Sequence, residues 1–134
     1  MLVRRQSEAA VTEWHSFRTH ILMDAGELGS RNMSAILIEV PPGASERLRS
    51  HEEAEHVYVI VRGSGTLSAA GDTEELGQGD LALIPPATDH SIANEGDEPF
   101  ACISVLSPAI SADELFDRQL AGNTASGYDE DGEY

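Results

Sequence analysis

The chain has 134 residues, 24 of them acidic against eight basic, for a formal net charge of −16. That length suits one compact domain. With arginine as its only basic type, so acidic a surface excludes phosphate-backbone binding, which needs a cationic face, and no apolar run approaches the ~20 residues of a membrane span.

In chain order, Arg4 and Arg5 give way at once to Gln6, Ser7 and Glu8. No apolar signal-peptide segment follows them, so the expected location is the cytoplasm. Trp14 to Met23 is a weak first strand segment. Ser34 to Val40, His56 to Arg62, Gly65 to Ala69, Asp80 to Ile84, His90 to Asn94 and Pro99 to Leu106 are clearer, being short and rich in Ile, Val and Leu. Between them, Pro41-Pro42-Gly43, Gly63-Ser64-Gly65, Gly71-Asp72, Gly77-Gln78-Gly79, Pro85-Pro86 and Asn94 to Asp97 supply turn chemistry, because Gly tolerates positive φ and Pro fixes it. So many short strands predict an all-β sandwich or closed barrel, which limits exposed edges. Cys102 sits in the apolar run Phe100 to Val105 and reads as a small buried side chain. Ser111-Ala112-Asp113-Glu114 has the form of a capping box, with Leu115, Phe116 and Leu120 at helical spacing, so a short helix is expected over 111–121. From 122 to 134 the chain is polar and acidic, and a disordered tail is expected.

Three of the five histidines, His51, His56 and His90, fall beside turn signals in the central β-region. Neutral imidazole is a common ligand of borderline metals. Strand alternation tests their directions. If His56 points inward, Tyr58 and Ile60 share its face while Glu55, Val57 and Val59 face the other way. The same rule puts Thr88, His90, Ile92 and Asn94 on one face. Three converging imidazoles are costly to bury without partners, which favours a divalent metal over a metal-free polar cluster.

The spacing Gly43, five residues, Arg49, Ser50, His51, four residues, His56, six residues, Gly63 resembles the first motif of the cupin superfamily. Gly79, five residues, Pro85, one residue, Ala87, two residues, His90, three residues, Asn94 resembles the second, with Ala87 in place of the usual glycine. The resemblance implies a cupin jelly-roll β-barrel, a double-stranded β-helix, over residues 1–110 with its motif core at 43–94. It also implies a metal held by histidines and a carboxylate. Carried over, the first histidine position is Arg49, the second His51, the carboxylate position His56 and the last histidine His90. Arginine stays protonated and offers no lone pair, so Arg49 cannot ligate a cation. The implied set is therefore His51, His56 and His90, suited to Zn²⁺, Fe²⁺, Ni²⁺, Cu²⁺ or Mn²⁺.

Two further roles follow. Arg49 can make a bidentate contact with an anionic substrate, or pair with Glu39, Glu46 or another acid. Tyr58 is a core aromatic that can also handle protons on the His56 face. Such a protein is expected to be a metal-dependent enzyme of dioxygenase, isomerase or lyase type on a small oxygenated or carboxylated molecule. The alternative is a non-catalytic cupin that binds or senses a small ligand. The outward stripe Val57, Val59 and Val61 needs covering, and a homodimer is expected.

Overall fold

The structure, a computed structural model, describes residues 1–30, 32–49 and 52–112. The strands are β1 (Ala10–Trp14), β2 (Phe17–Met23), β3 (Ser34–Val40), β4 (Ser45–Leu48), β5 (Glu55–Arg62), β6 (Ser64–Ala69), β7 (Asp72–Gly77), β8 (Leu81–Ile84), β9 (His90–Ala93) and β10 (Phe100–Ser107). A six-stranded sheet in the order β1-β2-β3-β10-β5-β8 faces a four-stranded sheet in the order β4-β9-β6-β7. All pairings are antiparallel. This is the all-β jelly-roll that the sequence predicts. The expected helix, from residue 113 on, and the tail lie outside the described residues. Among the described residues no helix is long and apolar enough to cross a membrane.

Alternation drives the burial. On β5, His56, Tyr58 and Ile60 are buried while Glu55 is exposed and Val57 and Val59 are half-buried. On β3, Ile36, Ile38 and Val40 face the same core. Three elements differ from expectation. The weak segment Trp14 to Met23 holds β2 and a turn at His15-Ser16, with His15 at φ +56°, and β2 pairs with an unexpected β1 before it. β4 and β7 were not expected, because Ser45-Glu46-Arg47-Leu48 is short and Asp72-Thr73-Glu74-Glu75 exposes both its faces, so neither shows an apolar alternation.

Two backbone positions are tightly constrained. A Cβ at Gly65 would collide with the Phe100 ring, which is fully buried beneath it. Ala87 takes φ +58°, a left-handed conformation that costs an L-residue with a Cβ on the order of 1 kcal/mol. Gly65→Ala is therefore expected to destabilise by about 2 kcal/mol through overpacking. Ala87→Gly is expected to stabilise by up to about 1 kcal/mol, because glycine relieves the strain. Urea unfolding of both variants checks the opposite signs.

The outer face of the large sheet carries a charged row. A bulge pairs Ala101 with Arg62 and Cys102 with Ile60, which turns Arg62 outward beside Glu39. Glu39 accepts from His20 Nε2 at 3.0 Å and from Arg62 Nη2 at 3.4 Å, with Arg18 Nε at 3.8 Å. The His20 hydrogen bond is the largest cause that holds the Glu39 carboxyl below its ordinary value of 4.5, against an opposing push from burial. A carboxylate favoured by the fold stabilises above its unfolded pKa, and this contribution is lost as pH falls through the lower folded value. Glu39→Gln is expected to cost about 1 kcal/mol at pH 7. The gap from wild type should close at acid pH, as read from unfolding at pH 7 and pH 3.5.

Candidate metal centre

β5, in the large sheet, and β9, in the small one, deliver the two described histidines to one interior. His56 lies between Leu106 of β10 and Ile84 of β8, and His90 between Leu48 of β4 and Ala69 of β6. Both imidazoles are buried, and their ring centres are 5.4 Å apart, edge to face. Tyr58, fully buried, packs on both, its ring centre 6.0 Å from that of His56 and 5.4 Å from that of His90.

Hydrogen bonding sets the tautomers in this cluster. A backbone carbonyl can only accept, so the contact of His90 Nδ1 with the Thr88 carbonyl at 3.1 Å puts a hydrogen on Nδ1. Burial, the largest cause, holds the His90 pKa below its ordinary value, and the ring is neutral. Its Nε2 then keeps a lone pair, which accepts from the Tyr58 hydroxyl at 2.7 Å. That hydroxyl has one hydrogen to give. Towards His56 Nδ1, at 3.4 Å, its oxygen can only accept, so His56 carries its hydrogen on Nδ1 and a lone pair on Nε2. Burial also drives the phenol pKa above its ordinary value, so Tyr58 stays a donor.

The remaining candidates are placed as follows. His51 lies outside the described residues. Arg49 is exposed, one residue beyond the buried Leu48 that ends β4. Glu39 and Glu46, weighed as its partners, are engaged elsewhere, Glu39 in the outer row and Glu46 with Ser16 Oγ and its N–H. Asn94 serves the backbone: its amide nitrogen donates to the carbonyls of Val40 and Glu98 and its oxygen accepts from Gly96 N–H. Cys102 is buried as expected, and burial pushes its thiol up to about 12. Sequence reasoning missed the Thr88 carbonyl, since any residue type supplies one and no side-chain signal marks it.

Between the edge strands β7 and β8 a cleft of about 380 Å³ is lined by Leu67, Ala69, Leu76, Ala82, Ile84 and Thr88, with Asp72 and Glu74 also on its walls. Ile84 and Ala69 are the cross-strand neighbours of His56 and His90, so the cleft abuts the cluster. A second cleft of about 360 Å³ is lined in part by Arg47, Asp89 and His90.

The donor set suits a borderline metal. Two imidazoles sharing one ion at a metal–nitrogen distance near 2 Å have ring centres roughly 5 Å apart, close to the separation found here. The described residues contain no complete cluster of three metal-binding side chains, and His51 is outside them.

Comparison with known proteins bears on the family and the fold. The chain is 32% identical over 75 residues to an uncharacterized protein of Methanocaldococcus jannaschii, covering 56% of this chain and 60% of that one. It is 29% identical over 69 residues to an oxalate-binding protein of Thermotoga maritima, covering 52% and 57%. It therefore spans well under two thirds of the length of these relatives. A crystal structure of a predicted oxalate decarboxylase from Thermotoga maritima superposes with a TM-score of 0.73 at 22% identity, covering 80% of this chain and 99% of that one, which is a likeness of fold. The family model of the cupin domain matches residues 36–106, the stretch from β3 to β10 that builds the His56–Tyr58–His90 cluster, and the chain belongs to the cupin family.

Proposed function

We propose that this cupin is a metal-dependent enzyme of dioxygenase, isomerase or lyase type acting on a small oxygenated or carboxylated molecule. The observation that carries the reading is the burial of two imidazoles on facing sheets, 5.4 Å apart between ring centres, near a largely apolar cleft. His56 and His90 would hold the ion, with His51 as the third ligand by its place in the motif. Zn²⁺, Fe²⁺, Ni²⁺, Cu²⁺ and Mn²⁺ all suit imidazole donors. When bound, the ion supplies Lewis acidity to a substrate oxygen.

The chain's own residues do the rest. Leu48, Ile84 and Leu106 flank the histidines and exclude water, which strengthens electrostatic interactions inside. Tyr58 Oη holds a proton beside both rings. Asp72 and Glu74 on the cleft walls disfavour an anion there, so uncharged oxygenated molecules are the first substrates to screen. Oxalate, named in a relative, is the first carboxylate to screen, with Arg49 proposed by its place in the motif to orient the anion. A binder without turnover is the competing reading, and it is distinguished by metal binding with no product from any screened substrate.

Protein purified without chelator is expected to contain close to one transition-metal equivalent per chain by elemental analysis, and His56→Ala and His90→Ala are expected to lose most of it. Wild type that holds no metal and takes up none from added Zn²⁺, Fe²⁺ or Ni²⁺ sinks the reading.

A homodimer completes the proposal. Ile103 and Val105 of β10 and Val57 and Val59 of β5 form an outward apolar face, continued by Leu81 and Leu83, which are more than half exposed. Light scattering is expected to return twice the chain mass, and Leu83→Lys to shift the population towards monomer.

A further inference from the structure

Tyr58 holds the atom of His90 that a metal would need. With Nδ1 committed to the Thr88 carbonyl, Nε2 is the ring's one lone pair, and the Tyr58 hydroxyl donates to it at 2.7 Å. Hydroxyl and metal cannot share that lone pair. Loading His90 therefore breaks a buried hydrogen bond, and the freed hydroxyl must find another acceptor in the same interior.

We propose that Tyr58 gates metal loading: its hydroxyl occupies the ligating nitrogen of His90 in the metal-free protein, so that binding proceeds by exchange of a phenol hydrogen bond for a metal bond. This rests on the reading of the cavity as a metal site. The exchange sets a threshold. Ions that bind imidazole strongly displace the phenol, whereas hard ions such as Mg²⁺, which prefer oxygen and give up water reluctantly, do not. The same hydrogen bond satisfies His90 Nε2, and a buried imidazole nitrogen left unpaired is costly.

Geometry confines the role to the hydroxyl. The Tyr58 ring is a core element that packs edge-to-face on His90 and lies across from Ser104 and Ala82, so phenylalanine fills the same space. A purely structural Tyr58 predicts that removing its hydroxyl leaves metal affinity unchanged or weakens it. A gate predicts the reverse.

The test titrates metal-free wild type and Tyr58→Phe with Zn²⁺ and Ni²⁺ against a chromogenic chelator. The variant is expected to bind roughly tenfold tighter, the worth of one buried hydrogen bond no longer displaced. Equal or weaker binding by the variant overturns the gate and leaves the metal reading standing. Binding by neither protein overturns both. A second measurement uses wild type alone, so it does not depend on the variant folding. With three tyrosines in the chain, ¹³Cζ-tyrosine NMR follows Tyr58 as diamagnetic Zn²⁺ is added. Its resonance is expected to shift in step with metal occupancy, and Zn²⁺ saturation with that resonance unmoved overturns the proposal.

Discussion

The antiparallel register of β5 against β10 decides which side chains enter the barrel. His56 faces Leu106, Tyr58 faces Ser104 and Ile60 faces Cys102. Because side chains alternate, a slip of one residue would bring Val57 and Val59 inside and put an imidazole and a phenol on the outer face. Apolar burial opposes that slip, since Ile36, Ile38, Val40, Ile60 and Leu106 all lie on the inner side in this register. The irregularity in this pairing, the bulge at Ala101/Cys102, falls past the site, at the end of β5. It turns Arg62 out to Glu39 without disturbing His56 or Tyr58, so the same strand serves an apolar interior and a charged exterior.

Within the barrel, a chain of hydrogen bonds fixes proton positions that packing alone leaves open. It runs from His56 Nδ1 to Tyr58 Oη, from Tyr58 to His90 Nε2, and from His90 Nδ1 to the Thr88 carbonyl. Its direction is imposed from the carbonyl end, because that group has no hydrogen to give. Asn94 supports the site from the far end of the same strand. Its backbone pairs with Gly43 and Ala44, and its side chain ties Val40 to the turn at Glu98, joining the ends of both sequence motifs.

Much of this was legible in the sequence, and for identifiable reasons. β3 matches its expected span because an apolar run is closed by Pro41, and the inward set of β5 was read correctly because Glu55 to Ile60 alternate strictly. β7 was illegible because an edge strand with its acids in water shows no period. β1 was missed and the turn before β2 was read as strand because His15 takes the left-handed turn position that glycine or asparagine would have announced. At the site, residue spacing carried His56 and His90 to one cavity, but not the Tyr58–His90 bond. Thirty-two residues separate those partners, and only the pairing of strands across both sheets brings them to 2.7 Å. Arg49 was marked by its motif position alone, and motif position does not encode exposure.

His56 stands where the family pattern has a carboxylate, and this changes the electrostatics more than the fold. A set of neutral imidazoles brings no negative charge to offset a divalent ion, so on the proposed reading the ion keeps its full charge in a low-dielectric interior. Such a site attracts electron-rich oxygen strongly, whether from water or substrate. Asp72 and Glu74 on the wall of the cleft would oppose anions from outside while the ion would draw them from within. On that reading the two effects together would favour a substrate that arrives uncharged and gains negative charge only once it is inside, where the ion would meet it.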